Sequence, residues 1–229
     1  MRRQFDEDLN RLKERLLTMA ATAEQMIRDT TNMLLEWNLA LFEPVRTSET
    51  TMDKFQRDID EETVRLIAVH TPVAGDLRLL LMVTRINAEL EHIADHTMDI
   101  GFYAKTMFKG PPLKPLVDLP RMAETTMGML RGSLDAFSAA ASDKALAVIA
   151  MDDKVDDLND QTFRELMTYV LADPKAITRA LELVLIARSY ERIADHAVNI
   201  AEDVVYMVKG EDIRHRELAG AMPMGKAPS

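Results

Sequence analysis

The sequence contains no cysteine, which excludes disulfides, thiolate zinc sites, iron–sulfur clusters and cysteine nucleophiles, and fits a reducing cytosol. Glycine is scarce at 8 of 229 residues, about half the usual share of roughly 7%, and no Gly-rich phosphate loop is present. Aromatics make up only 5% of the chain, too few for the stacking platforms of single-strand binders. Basic residues are outnumbered, 28 against 38 acidic ones for a net charge of -10. They are also scattered, so a nucleic-acid backbone is excluded as a partner. No apolar run approaches the roughly 18 residues of a membrane span. The start, Met1-Arg2-Arg3-Gln4-Phe5-Asp6-Glu7-Asp8, turns acidic where a signal peptide would need an apolar stretch. The expectation is a cytoplasmic protein that meets a membrane only through a partner complex.

What remains is helix-forming. Hydrophobic residues reach 47%, spaced as in helices, and the prolines act as punctuation. Helices are predicted from about Phe5 to Phe42, Val45 to His70 and Ala74 to Lys109. Gly110-Pro111-Pro112-Leu113-Lys114-Pro115 follows as a linker, since each proline stops a helix. A fourth helix runs to about Ala141, and Ser142 caps a fifth that ends near Ala172. Asp173-Pro174 opens a sixth, which reaches Lys209-Gly210. The sixteen methionines fall mostly at core spacing and read as gap fillers.

Three helices, a linker and three more helices point to duplication, and one stretch shows it directly. Glu91-His92-Ile93-Ala94-Asp95-His96-Thr97-Met98-Asp99-Ile100 returns as Glu191-Arg192-Ile193-Ala194-Asp195-His196-Ala197-Val198-Asn199-Ile200. The expected fold is all-α, two tandem three-helix bundles. The N-terminal bundle takes residues 1–109, a Pro-rich linker 110–120, the C-terminal bundle 121–210 and a flexible tail 211–229.

Within each copy the acids stand four apart: Glu91, Asp95 and Asp99, then Glu191 and Asp195 followed by Asn199 and Glu202. At about 100° per residue they form one stripe on a helix face. Glu49 and Asp53 repeat the spacing on the second helix, Asp152 and Asp156 on the fifth. Antiparallel hairpins turning near Val73 and Asp173 bring these pairs level with the stripes, four carboxylates to each bundle. Like charges at i, i+4 cost a few tenths of a kcal/mol per pair, and a bound cation reverses that sign. Clustered carboxylates suit Mg²⁺ and Mn²⁺, and also iron or zinc. The alternative is an ordinary solvated face, with Arg188 and Arg192 pairing with Glu191 and Asp195.

His96 and His196 are turned away from the stripe and read as structural or surface residues. Glu89-Leu90-Glu91-His92 holds the one Glu-x-x-His in a bundle context, whereas buried di-iron bundles need two, which disfavours a ferritin-like oxidase. Two function classes remain beside a regulatory scaffold: a carboxylate-bridged metalloenzyme of hydrolase type and a purely structural bundle.

The repeated Glu-His/Arg-Ile-Ala-Asp-His pattern resembles the PhoU family of phosphate-uptake regulators. So do Thr71-Pro72-Val73-Ala74-Gly75-Asp76-Leu77-Arg78, Gln4-Phe5-Asp6-Glu7-Asp8-Leu9 and Leu166-Met167-Thr168-Tyr169, and the likeness spans about residues 4–216. The resemblance implies multinuclear metal sites on Glu49, Asp53, Glu91 and Asp95 and on Asp152, Asp156, Glu191 and Asp195. It also implies a negative regulator of the phosphate-starvation response that is not an enzyme. Its implied partners are the ATPase subunit of the phosphate ABC transporter and a phosphate-sensing histidine kinase, with self-association left open. The chain departs from the family pattern where Asn199 matches Asp99, where Glu202 matches Phe102, and where the motif alanines stand in place of glycine.

Overall fold

The computed structural model describes residues 2–214, and every regular element in that span is helical. Six helices are long: α1 (Arg2–Glu36), α2 (Phe42–His70), α3 (Ala74–Met107), α4 (Asp118–Ala139), α6 (Asp152–Ala172) and α7 (Ile177–Lys209). Between α4 and α6 lies a short α5 (Ser142–Ile149). Single 3₁₀ turns at Leu39–Leu41 and Pro174–Ala176 lead into α2 and α7. The all-α fold is therefore the one expected. Residues 215–229, most of the expected tail, lie outside the described residues.

Several boundaries differ from the sequence reading. The first helix stops at Glu36, six residues before Phe42, because Trp37 adopts a left-handed conformation (φ 52°). Asn38 N–H then bonds Met33 O (3.1 Å) and Trp37 N–H bonds Leu34 O (3.4 Å), a Schellman closure. The Asn38 side chain caps the following turn by accepting from Ala40 N. Pro44 falls inside the first turn of α2, where its missing N–H leaves no bond unmade. The same holds for Pro120 in α4, which begins at Asp118, so the linker is shorter than expected. The third helix ends at Met107. The predicted fifth helix is two, α5 and α6, separated at Ala150–Met151. Ala141 rather than Ser142 holds the cap position of α5, since α4 closes just before it with a second Schellman motif on left-handed Ala140 (φ 47°).

Helices α1 to α3 pack on one another, as do α4 to α7. The most extensive pairing of all is between the halves, α3 against α7, with α1 against α4 beside it. One continuous cluster of buried apolar side chains runs through both halves, from Leu12, Leu16 and Ile86 to Ile186 and Val204. Burial of this kind is the main favourable term in the fold. Polar contacts also cross the seam: the buried Tyr190 hydroxyl of α7 meets Thr31 Oγ1 of α1 at 2.8 Å, and Glu24 pairs with Arg131. Among the described residues no helix is long and apolar enough to cross a membrane.

Candidate metal centres

In the first half, α2 carries Glu49 and Asp53 while α3 carries Glu91 and Asp95. The two helices are antiparallel neighbours joined through Thr71, whose left-handed backbone (φ 44°) ends α2. Glu49 and Glu91 are partly buried, Asp53 and Asp95 exposed. Burial pushes the Glu49 carboxyl above the usual carboxylate range, and the negative charges of Asp53 and Asp95 push it further. Glu91 is raised in the same way, by burial first and then by Asp95, with Asp53 adding to it. Glu49 and Glu91 thus each feel the aspartates of both helices across the hairpin.

The second half repeats the arrangement with α6 and α7. Burial, then the charges of Asp156 and Asp195, push the Asp152 carboxyl up to about 6. Asp152 Oδ1 is buried and has no hydrogen-bond partner among the described residues. Burial and Asp195 raise Asp156, and burial, Asp195 and Asp156 raise Glu191. Two contacts oppose the crowding. Asn159 Nδ2 donates to Glu191 Oε2 at 2.8 Å, and Arg192 Nη1 lies 3.0 Å from Asp195 Oδ2, the ion pair of the solvated-face alternative.

The three further positions turn elsewhere. Asp99 Oδ2 stands 3.5 Å from His96 Nδ1, Asn199 Nδ2 donates to Glu89 Oε2 at 3.1 Å, and the charge of Glu202 acts on Arg214. Among the described residues, the one group of three whose ligand atoms all lie within 4.8 Å of one another is Glu89, His92 and His196. No three of the eight carboxylates gather so closely. Of the two roles expected for it, His196 takes the structural one: its Nδ1 sits 2.6 Å from Glu89 Oε2 across the α3–α7 seam. The Glu89-x-x-His92 spacing was visible in the sequence, but nothing there pointed to a third donor on α7.

The PhoU domain family model matches this chain at residues 16–104 and again at 119–204. A phosphate-specific transport system accessory protein PhoU homolog of Pseudomonas aeruginosa is 36% identical over 213 residues, covering 93% of this chain and 88% of that protein. The homolog of the same name from Aquifex aeolicus is 39% identical over 212 residues, 93% of this chain and 96% of its own. The crystal structure of PhoU from Pseudomonas aeruginosa superposes with a TM-score of 0.86 at 35% identity, covering 90% of this chain and all of that one.

Proposed function

Because the chain belongs to the PhoU family, we propose that it is a cytoplasmic negative regulator of phosphate uptake and of the phosphate-starvation response. It acts as an adaptor between the ATPase subunit of a phosphate ABC transporter and a phosphate-sensing histidine kinase. The observation that carries this reading is the match to relatives named as phosphate-specific transport accessory proteins over 93% of the chain. Those names also favour a regulatory role over a catalytic one. We read residues 1–109 and 121–210 as the two repeats, a division that the twofold match of one family model supports.

Each repeat presents four carboxylates to cations: Glu49, Asp53, Glu91 and Asp95 in one, Asp152, Asp156, Glu191 and Asp195 in the other. The fit of a cation to the second set is supported by the unpartnered buried oxygen of Asp152 and by the raised proton affinity of Asp152, Asp156 and Glu191, which comes first from burial and then from the neighbouring negative charges. A divalent ion relieves the same repulsion between neighbouring carboxylates that a proton does. When bound, such an ion supplies positive charge and coordination positions for phosphate oxygens. In both repeats the carboxylates hold and orient it, while Asn159 fixes the Glu191 headgroup.

Deleting the gene in its host should derepress alkaline phosphatase in phosphate-rich medium, and the full chain supplied in trans should restore repression. Unchanged output on deletion would overturn the regulatory reading. Calorimetric titration of chelator-treated protein with Mn²⁺ should show binding that weakens at least tenfold in Asp95→Asn with Asp195→Asn. Equal affinity in that variant would remove the metal from the reading and leave regulation standing.

A further inference from the structure

We propose that Glu89, His92 and His196 form a separate binding site for one transition-metal ion of the zinc class, which clamps the first repeat to the second. This inference does not rest on the carboxylate sets, and it concerns different atoms and a different donor chemistry.

The donors come from both halves. Glu89 and His92 stand three residues apart on α3, so their side chains share a face, and His196 reaches them from α7. One ligand atom from each lies within 4.8 Å of the other two. Zinc bonds nitrogen and oxygen at about 2.0–2.2 Å with tetrahedral angles, which sets its donors roughly 3.3 Å apart. The donors therefore need to draw in by about 1.5 Å at most to meet an ion at those distances.

The chemistry of the set selects the ion. Two imidazoles and one carboxylate match the ligand choice of zinc and its neighbours in the transition series, whereas Mg²⁺ and Ca²⁺ take oxygen alone. The carboxylate stripes offer oxygen alone, so one chain presents two chemically different kinds of site.

The surroundings hold the donors in place, as ligand-orienting contacts do in known metal sites. Asn199 Nδ2 donates to Glu89 Oε2 at 3.1 Å and fixes the carboxylate. The His196 ring stacks on His96 with centroids 5.3 Å apart and planes 26° from parallel, which sets the plane of the imidazole. The His92 ring lies 5.0 Å from that of His196. Glu89 and His196 are mostly shielded, while the His92 side chain is half exposed, which leaves a path for an ion from solvent.

The consequence is mechanical. The seam between α3 and α7 is the broadest in the fold, and the same two helices carry Glu91, Asp95, Glu191 and Asp195. An ion held by donors from both helices favours this one register of the two repeats.

Full-length protein, stripped with chelator and held in excess Mg²⁺ to saturate oxygen-only sites, would be titrated with ZnCl₂ against a chromophoric chelator. One zinc should bind per chain, and its X-ray absorption spectrum should carry the scattering of imidazole. Affinity should fall at least tenfold in His92→Ala and in His196→Ala and stay within twofold in Asp95→Asn with Asp195→Asn. His92 is exposed, so its variant keeps the test valid even if His196→Ala does not fold. Zinc held by oxygen alone, or binding that His92→Ala leaves unchanged, overturns the inference. Zinc lost only in the aspartate variant also overturns it, while supporting the carboxylate sites.

Discussion

Arg85 Nη1 of α3 donates a 3.0 Å hydrogen bond to Asp203 Oδ1 of α7, tying the two repeats together at a carboxylate that is only 6% exposed. Arg214 adds a longer contact at 3.8 Å. Burial pushes the Asp203 carboxyl upward, and Arg85 and then Arg214 pull it back without cancelling the rise. Asp203 therefore depends on its cations. Truncating Arg85 leaves a poorly compensated buried charge, and such losses run to about 3–5 kcal/mol when burial is complete. Arg85 is itself 44% exposed, so water can replace part of it, and Arg85→Ala should cost about 1–3 kcal/mol by urea denaturation at pH 7. The double variant with Asp203→Asn should cost less than the two single ones together. Strict additivity would show that the pair is not coupled.

Asp152 sets a pH dependence whose sign is the reverse of an ordinary ion-paired aspartate. Its carboxyl lies at about 6 in the folded chain against an ordinary value of 3.8, so the fold binds this proton more tightly than the unfolded chain does. The stabilisation is complete below about pH 4 and is lost as pH rises through about 6. In chelator-treated protein, Asp152→Asn should be neutral at pH 4 and stabilising at pH 7.5. Urea midpoints measured across that range should diverge progressively. A constant offset between variant and wild type would mean that Asp152 does not titrate in this window.

How far the sequence could be read depended on the range of the interactions involved. The all-α class rests on local periodicity and was accessible, as was the juxtaposition of acids across each hairpin, which needs only i, i+4 spacing and one turn. The end of α1 was not, because it has no glycine or proline to mark it: a Schellman closure forms instead on Trp37, as another does on Ala140 at the end of α4, which the sequence placed within two residues. Trp37 is held in its left-handed conformation by a tertiary contact, its ring stacking on Phe108 with centroids 4.4 Å apart. The approach of His196 to Glu89 depends on the register of α3 against α7, residues 107 positions apart in the chain. No motif encodes that register, which is set by how the whole buried seam interlocks.

The two closures make opposite predictions for glycine. Ala140 is exposed and left-handed, a conformation costing an L-residue about 1–2 kcal/mol, while the added freedom of glycine in the unfolded chain gives back about 0.4–1 kcal/mol. Ala140→Gly should therefore stabilise by about 0.5–1 kcal/mol, read as a higher melting temperature. Trp37→Gly relieves the same backbone cost but removes the ring from Phe108, and should destabilise. A gain at both positions would show that the Trp37 stacking contributes little.

Gly101, buried within α3, has no room for a side chain. A Cβ built there overlaps the far edge of the Phe42 ring, which is itself buried and packs edge-on against Phe102 with centroids 5.5 Å apart. Alanine gains about 1 kcal/mol over glycine in a helix interior, but forcing a methyl into a filled core costs about 1–3 kcal/mol. The steric term wins because Phe42, at the first position of α2, is hemmed in and cannot swing aside freely. Gly101→Ala should lower stability by up to about 2 kcal/mol, and a smaller residue opposite should recover it. Phe42→Leu combined with Gly101→Ala should thus be less destabilised than the sum of the single variants. If Gly101→Ala instead raises the melting temperature, the ring of Phe42 has space to move and the close approach of α2 to α3 does not require glycine.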